Sequence, residues 1–301
     1  MKCKPSSTNS YRDRRNPSRA FENIVSYRVA THREQRSMST TLQPDFQYLQ
    51  KTFGLDETEA MTNAMHEDGS VLIPNVLSAD EVKELRDAID RLKPFAFDNS
   101  GLDQHYKCVF NRDRAFLSLV DRPGIIELAE ATMGEHCHIL GLTAWKCGPG
   151  HNGWNIHTDH TFITLPEEFA SDPRVTMPIY ISTAHYYLNE MTIDLCPTYV
   201  IPGSHKSGRS PAKGEETWHG KPLEPVLCKA GDVLVFRSDV WHTGSINKTN
   251  ETRYLIQVHY SHRTIAQRFS PFPFVYNQEF LATANERQLR LLGKHPQMAY
   301  G

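Results

Sequence analysis

His157-Thr158-Asp159 sets an imidazole and a carboxylate two positions apart, and a second imidazole, His242, and a guanidinium, Arg253, follow far downstream. On an extended chain, side chains i and i+2 project from one face, so His157 and Asp159 can reach one metal ion while Thr158 turns away. Two imidazoles and one carboxylate cover one face of iron(II) and leave the opposite positions open for a co-substrate and dioxygen. The spacing therefore predicts a metal centre of His157, Asp159 and His242 built for oxygen chemistry.

The neighbouring sequence indicates how these residues are held. Gly148-Pro149-Gly150 is a turn ahead of the first pair, which puts His157 where a loop enters a strand. Ala230-Gly231-Asp232 is a second turn, and Val233 to Phe236 a hydrophobic strand leading to Ser238-Asp239-Val240-Trp241-His242. An antiparallel partner would bring His242 beside His157. Arg253, Leu255 and Gln257 share one strand face. If that face lines a barrel interior, the buried guanidinium needs a carboxylate, and the far carboxylate of 2-oxoglutarate would supply it. Thr243, beside the distal histidine, either helps hold that co-substrate or serves a turn. The Pro202-Gly203-Ser204-His205 turn gives a histidine beside or outside the centre, not a ligand.

These residues need a β-rich frame. Gly69 to Pro74 reads as a strand entering a turn, and Ser78 with Glu81 forms a capping box ahead of an apolar stripe of Val82, Leu85, Ile89 and Leu92. A second helical stretch covers residues 115–134, broken at Pro123 and ended by Gly134. Short β-branched and aromatic strands follow at 139–146, 179–188, 198–201, 225–228, 233–237 and 253–260. Many short strands after a helical start predict a mainly β fold with flanking helices, an antiparallel sandwich or jelly roll. The single domain would run over 41–301 with its core at about 60–265. Trp145, Trp154, Phe162, Tyr180, Tyr186 and Tyr187 are candidates for core or pocket wall. The insert 161–178 and the loop 207–223, with Trp218 and His219, are expected to shape the pocket.

Taken together, His157/Asp159, Ile201-Pro202-Gly203-Ser204-His205, Ala230-Gly231-Asp232, Trp241-His242 and Arg253 resemble the phytanoyl-CoA dioxygenase family. Glu67-Asp68-Gly69 through Leu77-Ser78-Ala79-Asp80-Glu81 resembles its amino-terminal opening. The resemblance implies a double-stranded β-helix of the cupin type and an oxygenase using Fe(II), 2-oxoglutarate and O2, with a small-molecule substrate. It departs from the family at two points. Leu195-Cys196-Pro197 stands where Asn-Gly-Pro is usual, and Gly244 stands where a small hydroxylic residue often gives the co-substrate a second contact. Asp159 is retained where related halogenases carry Gly or Ala, which implies hydroxylation. An inactive metal-binding sensor, or a zinc or manganese cupin enzyme without 2-oxoglutarate, are the alternatives.

The 33 basic and 35 acidic side chains among 301 residues give no charge excess for nucleic acid or an anionic membrane. No apolar run approaches the ~20 residues that span a bilayer. Six scattered cysteines without a Cys-x-x-Cys pair favour free thiols and a cytoplasmic location. Sequons at Asn247 and Asn250 fall between His242 and Arg253, where a glycan would crowd the site, and are read as chance matches. Residues 1–40 are basic and serine-rich, the composition of a disordered tail or transit segment. The stretch 28–36 is near a peroxisomal address, but Arg36 stands where Leu or Ala is required, and Met38 opens a more ordinary start. The alternative location is thus an organelle such as the mitochondrion or peroxisome.

Overall fold

The computed structural model describes residues 46–98 and 101–295. The chain divides into units Met1–Gln43 and Pro44–Gly301, and the basic segment 1–40 lies outside the described residues. The strands are β1 (Ser70–Ile73), β2 (Asp103–Tyr106), β3 (His138–Cys147), β4 (Ile181–Tyr187) and β5 (Thr198–Val200). They continue with β6 (Thr217–Trp218), β7 (Lys221–Pro222), β8 (Glu224–Pro225), β9 (Val233–Arg237), β10 (His242–Gly244) and β11 (Arg253–Ser261). A six-stranded antiparallel sheet has the order β1-β9-β4-β11-β3-β2, and a smaller sheet the order β10-β5-β8. Such a pair of antiparallel sheets is the jelly roll expected, with few helices.

Strand alternation gives the large sheet two different faces. The outer face carries Ala144, Ala184, Tyr186, Val233, Val235, Ile256 and Val258, which form one buried cluster with the helices α1 (Thr58–Glu67), α2 (Ala79–Arg91) and α3 (Ile125–Met133). Helix α2 starts on the capping box of Ser78 and Glu81 and buries Val82, Leu85 and Ile89 against that cluster. Each such side chain contributes roughly 1.5–3 kcal/mol by leaving water. Because helices cover one face, every residue of β4 is buried, and the inner face is free to be polar.

The inner face forms transverse rungs set by strand register. One rung runs His105–Trp145–Leu255–Tyr187, the next Thr143–Gln257–His185, then Gly141–His259–Thr183, and Arg253 lies opposite Cys147. Leu72, Leu195, Val200, Leu234 and Phe236 belong to a second buried apolar cluster, which takes residues from both sheets.

Several expectations need correction. The strand read at 225–228 ends at Pro225; Val226 still donates to the Thr198 carbonyl at 2.8 Å, but prolines 222 and 225 cannot donate to a ladder. Helix α1, with Met61 and Met65 buried, precedes the first strand and was not expected. Short β2 and β10 and a helix at Glu286–Leu291 were not anticipated. No helix among the described residues is long and apolar enough to cross a membrane. The five described cysteines are free and buried.

Candidate active site

His157 has no regular strand around it. It is held by a single antiparallel bridge to His242, whose amide donates to the His157 carbonyl at 2.9 Å and whose carbonyl accepts from the His157 amide at 3.0 Å. The segment before it is aligned along β10 and the residues that follow β10. Trp154 N donates to Gly244 O at 2.9 Å, and Gly150 N to Asn247 O at 3.1 Å. Gly153, at φ 75°, allows this approach, since a Cβ there would meet the Gly244 carbonyl.

The bridge sets the two imidazoles 4.4 Å apart between ring centroids. Each Nδ1 bonds a carbonyl two residues upstream, His157 to Asn155 O at 2.8 Å and His242 to Val240 O at 3.0 Å. A carbonyl accepts only, so both Nδ1 atoms carry the proton and both Nε2 atoms present a lone pair. The two Nε2 atoms each lie 3.7 Å from Asp159 Oδ1, and the three donor atoms fall within 4.8 Å of one another. Ligands at ~2.1 Å from a metal and at right angles sit roughly 3 Å apart, so a small contraction closes the set. Burial holds His242 below the usual imidazole range, only partly opposed by Asp159, which keeps it in the neutral ligating form. Thr158 points away, its hydroxyl on Thr161 and, at 2.7 Å, on Ser210. The donor set fits a divalent metal of the iron type.

Arg253 is 2 % exposed and lines the same cavity, of about 290 Å³. No carboxylate reaches it among the described residues. Its Nη2 donates to Thr198 Oγ1 at 3.3 Å, its Nη1 approaches the Cys196 sulfur at 3.8 Å, the Tyr187 ring lies 5.8 Å away, and Nε is buried without a partner. A buried cation so poorly matched costs several kcal/mol unless an anion joins it, and the space beside it is the cavity itself. The site fits a carboxylate ligand on that observation.

Thr243 also lines the cavity, but its hydroxyl donates to the Trp154 carbonyl at 2.6 Å. That bond crosses from β10 to the segment ahead of His157 and does not lie within a turn. Gly244 is explained by the same tryptophan, whose ring occupies the place a Cβ would take. The hydroxyl missing from position 244 has a counterpart in Thr198, which sequence reading placed on a strand without a role. Thr198 Oγ1 accepts from Arg253 and meets His185 Nδ1 at 3.5 Å, so its own proton is available to the cavity. His185 is held neutral by burial and accepts from Gln257 Nε2 at 2.8 Å, and Gln257 Oε1 accepts from Trp145 Nε1 at 2.7 Å.

Cys196 is buried in the left-handed region, at φ 52°, at the position where glycine was expected. A hydrogen bond from Cys147, with Arg253 and His151 nearby, draws its thiol below the ordinary range while Cys147 is pushed up. Of the aromatic candidates, Trp145 and Trp154 line the cavity, whereas Tyr186 packs in the helical core and Phe162 and Tyr180 line a separate small cavity. Trp218 packs on Trp241, at 5.7 Å between ring centroids, and His219 bonds Glu167 at 3.0 Å. The 207–223 loop thus braces the wall behind the distal histidine. His205 is buried and accepts no metal role, its Nε2 donating to His66 O at 3.0 Å. Asn247, 1 % exposed, spends its side chain on Cys147 O, Glu251 O and Thr249, so no glycan can stand there.

A double-stranded β-helix with a His-Asp-His donor set in its mouth is the architecture of a non-haem iron oxygenase. Residues 65–254 match the sequence model of the phytanoyl-CoA dioxygenase family, and the chain belongs to that family. It is 30% identical to a dioxygenase of Emericella variicolor, andF, over 108 residues, 35% of this chain and 34% of the relative, so the match spans about a third of that protein's length. A dioxygenase of Aspergillus fumigatus, af480, is 24% identical over 234 residues, 70% of this chain and 68% of the relative. The fold is shared with the non-heme alpha ketoglutarate dependent epimerase SnoN from nogalamycin biosynthesis, at TM-score 0.54 and 19% identity over 68% of this chain and 83% of that one. It is shared also with HygX from Streptomyces hygroscopicus, solved with nickel and 2-oxoglutarate bound, at TM-score 0.57 and 16% identity over 69% and 88%.

Proposed function

We propose that this chain is an Fe(II)- and 2-oxoglutarate-dependent dioxygenase that oxidises an unactivated C–H bond of a small or medium-sized metabolite. Iron would be held by His157, Asp159 and His242, and the far carboxylate of 2-oxoglutarate by Arg253 with Thr198. The observation that carries the reading is Arg253: a buried guanidinium with no carboxylate partner among the described residues, lining the cavity that also holds the three donors. A cupin metalloenzyme without 2-oxoglutarate has no use for it. Family membership and the dioxygenase names of the relatives support the same class, and SnoN's place in nogalamycin biosynthesis supports a role in secondary metabolism.

With iron bound, 2-oxoglutarate and O2 yield succinate and CO2 and deliver oxidising power to the substrate, usually as hydroxylation. The chain's own part is placement. The Nδ1 bonds of His157 and His242 fix both imidazoles in the ligating tautomer. The Arg253 fork orients a carboxylate from two sides, and the Thr198 proton adds a third point. Trp145 and Trp154 wall the cavity with apolar surface, which excludes water and strengthens each polar contact. The test is release of labelled CO2 from C1 of 2-oxoglutarate. Slow, strictly iron-dependent release that Asp159→Ala abolishes is expected; iron-independent release, or none, contradicts the reading.

A further inference from the structure

The first cavity does not end at the donor set. A second, of about 410 Å³, shares His105, Asp159 and His259 with it, while Arg253 lines the first alone. Its walls bring together Lys107, just past β2, and Arg268, beyond β11, two cations far apart in sequence. Neither forms an ion pair with any described residue. Asp159 is the sole carboxylate among the lining residues, and its charge faces the two histidines of the donor set. Apolar Leu140, Ile181 and Phe269 line the same cavity. His105 stacks flat on Trp145, 3.7 Å between centroids, and has a buried Nε2 without a partner. Burial first, then Lys107, pushes it down to about 4, so it enters the wall as a neutral hydrogen-bonding group. Lys107 is half-buried and Arg268 exposed, so neither is forced to find a partner, but two positive charges beside apolar surface with no anion of the chain on them attract an anion from outside.

We propose that this second cavity is the substrate site and that it takes an organic anion, with its apolar body on Leu140, Ile181 and Phe269 and its acidic group on Lys107 and Arg268. The assignment rests on the reading of the first cavity as the iron and 2-oxoglutarate site. A substrate so placed lies against Asp159, and so beside the metal. Sequence order gave no sign of this, because the two cations meet only through the fold.

The test uses 8-anilino-1-naphthalenesulfonate and N-phenyl-1-naphthylamine, one ring system with and without an acidic group. Both are titrated by fluorescence into the full chain loaded with nickel(II) and saturating 2-oxoglutarate, which fills the first cavity. The sulfonate is expected to bind roughly tenfold tighter than the neutral amine, as a charge-assisted contact implies. Lys107→Gln with Arg268→Gln should remove most of that preference and leave the neutral dye's affinity unchanged. A preference absent from the unmodified chain, or one that survives the double variant, overturns the proposal. The visible iron(II)–2-oxoglutarate band, recorded on the same proteins without dye, separates the two readings. If the band is present and dye discrimination is lacking, only the substrate assignment falls; if the unmodified chain gives no band, the first-cavity reading falls whatever the dyes do.

Discussion

Arg253 Nη1 stands 3.8 Å from the sulfur of Cys196, and the Cys196 backbone lies at φ 52°, where glycine is at ease and cysteine is strained. The thiol, drawn below its ordinary range, acts as a provisional partner of the guanidinium. If Arg253 receives the co-substrate carboxylate as proposed, the thiol would compete with it. Cys196→Gly is expected to tighten 2-oxoglutarate binding several-fold and to leave the fold at least as stable, since the substitution relieves strain of about 1 kcal/mol. Titration of 2-oxoglutarate into the iron(II) protein checks this; weaker binding in the variant would show that the thiol assists and does not compete.

Arg253→Met keeps the length and apolar stem of the side chain and removes its charge. Two charge-assisted bonds to a carboxylate are then lost, and the KM for 2-oxoglutarate should rise roughly tenfold to a hundredfold. Thr198→Val, equal in shape without the hydroxyl, should raise it by about fivefold. An unchanged KM in Thr198→Val would return the second contact to another group.

Gly244→Ser would restore the hydroxyl that relatives often carry, yet its Cβ would strike the ring of Trp154. The expected result is destabilisation of about 1–3 kcal/mol from overpacking, with no gain in 2-oxoglutarate affinity. Thermal melts of Gly244→Ser alone and with Trp154→Ala decide the cause. The cost should shrink sharply in the pair; a cost unchanged by Trp154→Ala would place the clash elsewhere.

Buried histidines make the fold acid-sensitive. Burial holds His185 and His205 well below the ordinary imidazole range, and both are fully neutral in the folded chain. Unfolded, each takes up a proton below about pH 6.5. Their contribution to stability is thus present above pH 6.5 and is lost as pH falls toward their folded values, at up to ~1.4 kcal/mol per unit for each group. The melting temperature of the metal-free protein should fall steeply between pH 7 and pH 5. A flat profile over that interval contradicts the burial of these rings.

The jelly roll, the capping box and the donor triplet were legible because each depends on local spacing: period two in the strands, the Ser78–Glu81 separation, and His157 two residues before Asp159. Arg253 was legible because its strand mates Leu255 and Gln257 declared the face. Thr198, Cys147 and His105 gave no such signal. They reach the site only through strand register, His105 and Cys147 in the large sheet and Thr198 opposite Gly244 in the small one. Position 196 did give a signal, as a cysteine where glycine is usual, but its meaning needed the φ angle and the nearby guanidinium. The strand read at Pro225–Cys228 is instead Glu224–Pro225, because the apolar run Val226 to Cys228 keeps only the Val226 bond to the Thr198 carbonyl.

The central claim is that one cavity holds iron(II) on His157, Asp159 and His242 and 2-oxoglutarate on Arg253. Anaerobic addition of iron(II) and 2-oxoglutarate, followed in the visible region, tests it most directly. A weak charge-transfer band is predicted in the unmodified chain, absent in Asp159→Ala and requiring far more 2-oxoglutarate in Arg253→Met. No band in the unmodified chain, or an equal band in Asp159→Ala, would contradict the account.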